Sequence, residues 1–307
     1  MDERLLRYFV VAVEEGNVTR AAERLSISQP ALSQQLRRLE RDLSAVLLER
    51  SKRGVTLTSA GQAFLPYARR VLQELHEARL VMSEVEGLER GHLTIGTVQS
   101  VNINLMPRVV AEFGRRYPGV SINIRELASD QIEPQLARGQ FDVGIGFLCE
   151  HQPDFVTEPL FTEELMLVVP DTHPLWSRRE VEVRELDGAA MVNIVPGSKR
   201  IWASCCEAAG IRTHTVAEMS SIASVIVSVR YMAAAAVVPA MALTSAAPAG
   251  ATSQVKGIPL RNPKPERTVG CLWRRQQYQS QLSKVLAVML REAVAELGSP
   301  WTRPLEP

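Results

Sequence analysis

Residues 17–40, NVTRAAERLSISQPALSQQLRRLE, constrain the fold more than any other stretch, because they encode two short helices separated by a tight break. Thr19 stands before a run of strong helix formers, Arg20-Ala21-Ala22-Glu23-Arg24-Leu25. Ser26-Ile27-Ser28 interrupts that run. Ser28 suits an N-cap, and Pro30 suits the first turn, where a missing N–H costs nothing. From there Leu32, Leu36, Leu39 and Leu43 recur at spacings of four, three and four, which defines one apolar helical face.

The opposite face has the chemistry of a nucleic-acid reader. At about 100° per residue, Pro30, Gln34, Arg37 and Arg41 lie away from the leucines, with Ser33 and Arg38 on the flanks. Gln29, Pro30, Ser33 and Gln34 occupy the N-terminal half, the part of a recognition helix that meets base edges. Glutamine pairs bidentately with adenine and serine bonds to several bases. Arg37, Arg38 and Arg41 come later and suit the phosphate backbone, which positions without specifying, and Thr19 of the preceding helix is a further DNA-binding candidate. An ordinary amphipathic helix pair with a solvated face is the competing reading. Residues 48–58, LERSKRGVTLT, add a basic turn between two short apolar stretches, the pattern of a β-hairpin wing. Lys52 and Arg53 at its tip would reach an adjacent backbone or minor groove.

A second periodicity follows. Phe64, Ala68, Val71, Leu75, Ala78, Met82 and Val85 alternate in steps of four and three, a heptad repeat on a helix of about 45 Å over residues 59–88. A narrow seam on a long helix argues for a partner helix rather than for a core of its own. Gly87 and Gly91 mark its end.

The combination Ala21-Ala22, Leu25, Ser28-Gln29-Pro30-Ala31-Leu32-Ser33, Leu39-Glu40, Leu43, Arg50 and Leu57-Thr58-Ser59-Ala60-Gly61 resembles the LysR-type transcriptional regulators. Ser44 departs from that family's usual Gly and Leu48 from its usual Phe. The resemblance implies a winged helix-turn-helix over 1–58, a linker and dimerisation helix over 59–90, and a two-lobed α/β effector domain over 91–307, like a periplasmic binding protein. It also implies a double-stranded DNA operator, a small-molecule effector, assembly as a homodimer or a dimer of dimers, and RNA polymerase as a candidate partner.

The remainder fits two lobes. Residues 93–98, 120–124 and 142–147 read as strands, with helical runs at Met106–Tyr117 and Gln131–Arg138 between them, which implies a parallel sheet. A second set begins near Phe161, with strands at 165–170 and 190–195 and a helix near Ile201–Ala209. Residues 219–236 continue it, Leu272-Trp273-Arg274 returns as a strand, and Gln279–Leu297 closes as an amphipathic helix. Crossings near Phe161-Thr162 and Glu266-Arg267-Thr268 give lobe I as 91–161 and 268–307 and lobe II as 162–267.

Ligands of such folds lie at the carboxyl ends of strands, between lobes. The first strand leads to Gln99, Ser100 and Asn102, and the second to Ser129 at a helix start. In lobe II Gly197, Ser198 and Lys199 link a strand to a helix. Backbone N–H groups and Lys199 or Arg200 there favour a small anion such as a carboxylate. Serine at a helix start serves equally well as a plain cap. Residues 130–133 (DQIE), 141–147 (FDVGIGF) and 221–225 (SIASV) resemble the cyanate-operon regulator branch of the family. So do Met232 and Ala234, which replace two glycines usual before the proline at 239.

Composition limits the alternatives. The 307 residues carry a net charge of only +1, and residues 1–58 hold ten Lys/Arg against eight Asp/Glu. DNA affinity then has to come from local placement and pairing, with marked salt dependence. No signal peptide is read, and the longest apolar run, Tyr231–Leu243, is too short for a bilayer, so a cytoplasmic protein is expected. Cys149, Cys205, Cys206 and Cys271 have no zinc spacing and are expected to be reduced thiols. By its distance from Gly210, Cys206 falls near the second cysteine of the family's peroxide-sensing pair, but Gly197 holds the first position. The five histidines form no catalytic motif, and no phosphate loop, metal cluster or cofactor site is expected. An enzyme and a solute-binding protein are therefore the weaker readings.

Overall fold

The computed structural model describes residues 1–51, 54–85, 91–149, 152–195, 199–243, 254–275 and 278–305. They form two compact units, Met1–Met82 and Ser83–Pro307.

The first unit contains α1 (Glu3–Glu15), α2 (Val18–Arg24), α3 (Gln29–Asp42), β1 (Leu48–Ser51), β2 (Gly54–Leu57) and α4 (Ser59–Val85). Leu5, Phe9, Ala21, Ala22, Leu32, Leu36 and Leu39 make its core. Asn17 caps α2, its Oδ1 accepting from the Thr19 and Arg20 N–H groups. Thr19 therefore sits inside the first turn and not before it. Ser28 caps α3, as its spacing requires. Ser26 and Ser44, at the ends of α2 and α3, adopt left-handed φ values of 55° and 53°. That conformation accounts for the glycine that the resemblance leads one to expect at 44. The antiparallel wing pairs Leu48 with Leu57 and Ser51 with Gly54. It is tied down twice: the Val55 N–H donates to Gly16 O at 2.9 Å, and Glu40 Oε1 accepts from the Leu47 and Leu48 N–H groups.

The heptad positions divide. Ala68 is buried in the core of this unit and Phe64 packs on it, 5.5 Å from the Phe9 ring. These two belong to the head, because the first turns of α4 cover α1. Val71, Leu75, Ala78 and Met82 are exposed, Met82 at 58 %, and Tyr67 joins them at 62 %. The side chain of Val85 lies outside the described residues.

The second unit opens with β3 (Gly91–Val98), α5 (Gln99–Asn104), α6 (Met106–Arg116), β4 (Val120–Leu127), α7 (Ser129–Ala137) and β5 (Val143–Phe147). Strands β4, β3 and β5 are parallel neighbours. The long β6 (Phe155–Pro170) then runs through both halves of the unit, starting well before the strand expected at 165. β7 (Val181–Glu182), β8 (Ala190–Ile194), α8 (Lys199–Ala209), β9 (His214–Met219), α9 (Ile222–Tyr231), β10 (Ala236–Pro239) and β11 (Val255–Arg261) follow. β12 (Glu266–Arg274), α10 (Gln281–Glu296) and β13 (Thr302–Pro304) return to the first half.

β12 pairs with β6 from Phe155 to Glu164, and β11 and β10 pair with its remainder. The hand-over between lobes thus lies at Glu164-Leu165, a few residues beyond Phe161. Leu160 bulges out of the β6–β12 ladder beside Pro159, which has no N–H to give it. One core gathers Leu93, Ile95, Phe113, Phe161 and Trp273. Two more, around Leu167 and Val168, cover opposite faces of the second half. Among the described residues no helix is long and apolar enough to cross a membrane.

Candidate DNA-reading face and inter-lobe cavity

On α3 the face away from the leucines presents Gln29, Pro30, Gln34, Arg37 and Arg38 to solvent, and Thr19 of α2 is exposed as well. Ser33 is only 7 % exposed, and its hydroxyl accepts from Gln29 Nε2 at 3.0 Å. It sits on the flank nearer the core, so it orients Gln29 instead of being presented itself. Lys52 and Arg53 lie outside the described residues.

A cavity of about 200 Å3 opens between the lobes. Val98, Gln99, Ser100, Glu126, Leu127, Ala128 and Ser129 line it from the carboxyl ends of β3 and β4. Ile194, Ser220, Ile222 and Pro239 line it from the second lobe, and Phe147 and Arg267 complete the wall. Of the expected residues Gln99, Ser100 and Ser129 meet here. Ser129 is the first residue of α7, but the capping position is Ala128, so the serine caps nothing. Asn102 stands behind the wall, donating to Glu126 Oε2 at 2.9 Å. Gly197 and Ser198 lie outside the described residues, as does the side chain of Lys199.

Arg267 is the feature that periodicity did not reveal. It is buried with Glu163, and its Nε donates to Glu163 Oε1 at 2.8 Å. Its Nη2 donates to the same oxygen and, at 2.8 Å, to Ser100 Oγ. The guanidinium lies 4.1 Å from the centre of the Phe147 ring. Burial pulls its pKa below the ordinary guanidinium value, against the pull of the Glu163 carboxylate. A charged residue two places before the apolar run 269–273, VGCLW, was the available signal.

Three of the four thiols are held back from ionisation by burial. Burial raises the pKa of both Cys205 and Cys206, and the Cys205 charge raises Cys206 further. Cys271 is wholly buried and pushed well above the thiol range. Among the described residues no group of His, Cys, Asp and Glu is arranged to hold a metal.

A winged head with an exposed polar helix, joined in one chain to a two-lobed ligand cavity, defines the class of ligand-responsive DNA-binding proteins. Two family descriptions match: "Bacterial regulatory helix-turn-helix protein, lysR family" over residues 4–62 and "LysR substrate binding domain" over 86–295. The Escherichia coli Hca operon transcriptional activator HcaR is 40 % identical over 196 residues, 64 % of this chain and 66 % of that protein. AlsR of Bacillus subtilis is 31 % identical, covering 74 % and 76 % of the two chains. The E. coli regulator OxyR is 30 % identical over 89 % and 90 %. In structure, a full-length OxyR variant from Pseudomonas aeruginosa superposes with a TM-score of 0.71 at 28 % identity, over 95 % of each chain. CbnR bound to its target DNA shares the fold, with a TM-score of 0.67 at 22 % identity over 95 % and 100 %.

The chain belongs to the LysR family of DNA-binding transcriptional regulators with an effector-binding domain. These relatives are regulators and not enzymes.

The likeness to the cyanate-operon branch finds no support among these relatives. Several of the residues that carried it serve the fold. Asp142 Oδ2 accepts from the backbone and hydroxyl of Thr94, a Cβ on Gly144 would come 2.7 Å from Ile132, and Ser221 caps α9. Met232 is extended, with φ −117°, so no glycine is required there.

Proposed function

We propose that two copies of this chain pair through α4 and read an operator with two related half-sites, under control of a compact monocarboxylate held between the lobes. The exposed stripe of Tyr67, Val71, Leu75 and Met82 supports pairing, since an apolar seam on a helix is stable when a second helix covers it. Gln29, Pro30 and Gln34 read base edges, with Ser33 orienting Gln29, while Thr19, Arg37 and Arg38 hold phosphates. Gln34→Ala is then expected to change sequence preference, at about 1–3 kcal/mol for the base it contacts. Arg37→Ala should weaken binding on every sequence and lower the salt slope by about 1. Competition binding over a randomised operator separates the two, and equal losses on all sequences in both variants would remove the division of roles.

The observation that carries the effector reading is Arg267 on the cavity wall. Its guanidinium and the Ser100 and Ser129 hydroxyls offer donors to an oxyanion, while Phe147, Ile194, Ile222 and Pro239 offer apolar contact. Glu163 already balances Arg267, and Glu126 stands at the rim, so a second negative charge on the ligand is disfavoured. The volume lies below the roughly 300–1,000 Å3 that drug-sized ligands fill, which suits a small acid. This cavity chemistry, and not the cyanate-operon likeness, defines the effector we propose. A thermal-shift comparison of small monocarboxylates with their neutral amides tests it. Acids should raise Tm and amides should not, because only binding to the folded state stabilises it. Equal shifts from both series would rule out an anion.

A further inference from the structure

Gln99 joins the two lobes directly. It follows β3 in the first lobe, and its Oε1 accepts from the backbone N–H of Ile222, at the first turn of α9 in the second lobe, at 2.5 Å. The two residues are 123 apart in sequence. The other end of the same carboxamide donates from Nε2 to Glu126 Oε1 at 2.8 Å. A carboxamide has one accepting end and one donating end. Glu126 can only accept, so it fixes which end of Gln99 faces α9. Asn102 steadies the second Glu126 oxygen at 2.9 Å. Gln99, Glu126 and Ile222 all line the cavity beside Arg267.

From this geometry we infer that Gln99 is a built-in competitor of the effector: its carboxamide oxygen occupies the second-lobe donor that an effector oxygen would use, and clasps the lobes from within. The inference rests on the effector reading of this cavity and adds how its affinity is set. An effector gains at Ile222 only the difference between its own oxygen and that of Gln99, because binding and clasp share one N–H. Glu126 acts at one remove. It orients the group whose oxygen bonds to α9.

The test uses the full-length chain with sodium benzoate as the carboxylate probe and benzamide as its neutral counterpart. Gln99→Met keeps the bulk of the side chain and deletes the acceptor, and Gln99→Ala deletes both. Calorimetric titration is expected to show benzoate binding about three- to tenfold tighter to both variants, the range that one net hydrogen bond spans. Tightening in Gln99→Ala alone would reflect added room and would overturn the competition. Hydrogen exchange provides a readout that needs no ligand. Before any probe is added, the Ile222 amide should exchange faster in Gln99→Met than in wild type, and faster also in Glu126→Leu, which leaves Gln99 unoriented. Unchanged protection at Ile222 in Gln99→Met would show that no clasp exists. Faster exchange with no benzoate binding to any variant would keep the clasp, overturn the competition, and count against the effector class proposed above.

Discussion

Arg267→Met is expected to destabilise the effector domain by about 3–5 kcal/mol, the cost of leaving a buried carboxylate without its partner. For a domain of this size that is a fall of roughly 6–20 °C in Tm. The Glu163 side chain is fully buried, and its other oxygen accepts from the Met241 N–H at 3.3 Å, a neutral donor that does not balance its charge. The double variant Arg267→Met with Glu163→Leu should recover most of the loss, since an apolar pair of similar volume avoids both desolvation costs. Calorimetry of the four proteins completes the cycle. The recovered double variant should no longer be stabilised by monocarboxylates, which separates the fold role of the pair from its ligand role. A single variant as stable as wild type would contradict the burial described here.

Leu75→Glu is expected to lower affinity for a two-half-site operator by about a hundredfold or more, with a single half-site bound as before. Pairing makes the second half-site contact intramolecular, and losing that linkage forfeits an effective-concentration gain of about 10² to 10⁴. Leu75 lies on the exposed stripe of α4, clear of the Phe9–Phe64 contact, so the head should melt unchanged. In a symmetric seam the two introduced carboxylates would face each other across a desolvated interface. Sedimentation at matched concentration reads the pairing and gel shifts read the affinity. A variant that remains paired and binds normally would place the interface elsewhere.

What could be read from the chain depended on range. The leucines of α3 announced themselves because their burial follows a short period, and the structure buries Leu32, Leu36 and Leu39 as that period requires, whereas β5 was legible as a short apolar run, buried from Val143 to Gly146. Ser33 was harder. At 3.6 residues per turn a flank position is decided by the neighbour it meets, and only the structure shows Gln29 folded over it. The heptad on α4 is a single pattern in sequence but serves two partners, because periodicity records that a face is covered and not by what. Strand β9 is largely exposed and carries no alternation to find, while β11 contains Gly257 and Pro259, which disguise it. Arg267 stood out in sequence only as a charge beside an apolar run, and its role stayed hidden because its partners Glu163 and Ser100 are 104 and 167 residues away. No local rule reports a pair of that kind. The Gln99 clasp is long-range in the same sense, although the segment that bears it, the start of α5, was identifiable from its place after a strand.

The anchoring of the first turns of α4 in the head has a mechanical meaning. The wing hangs from Gly16 and Glu40, and Phe64 and Ala68 are built into the same core, so α3, the wing and the base of α4 turn as one piece. A helix of 27 residues is about 40 Å long. Tilting such a rod by about 5° carries its tip through roughly 3.5 Å, close to the 3.4 Å that separates successive phosphates along the axis of one DNA strand. The gearing is therefore near one base-pair step for a few degrees. A ligand need not deform a reading head at all to change which spacing of half-sites is in register.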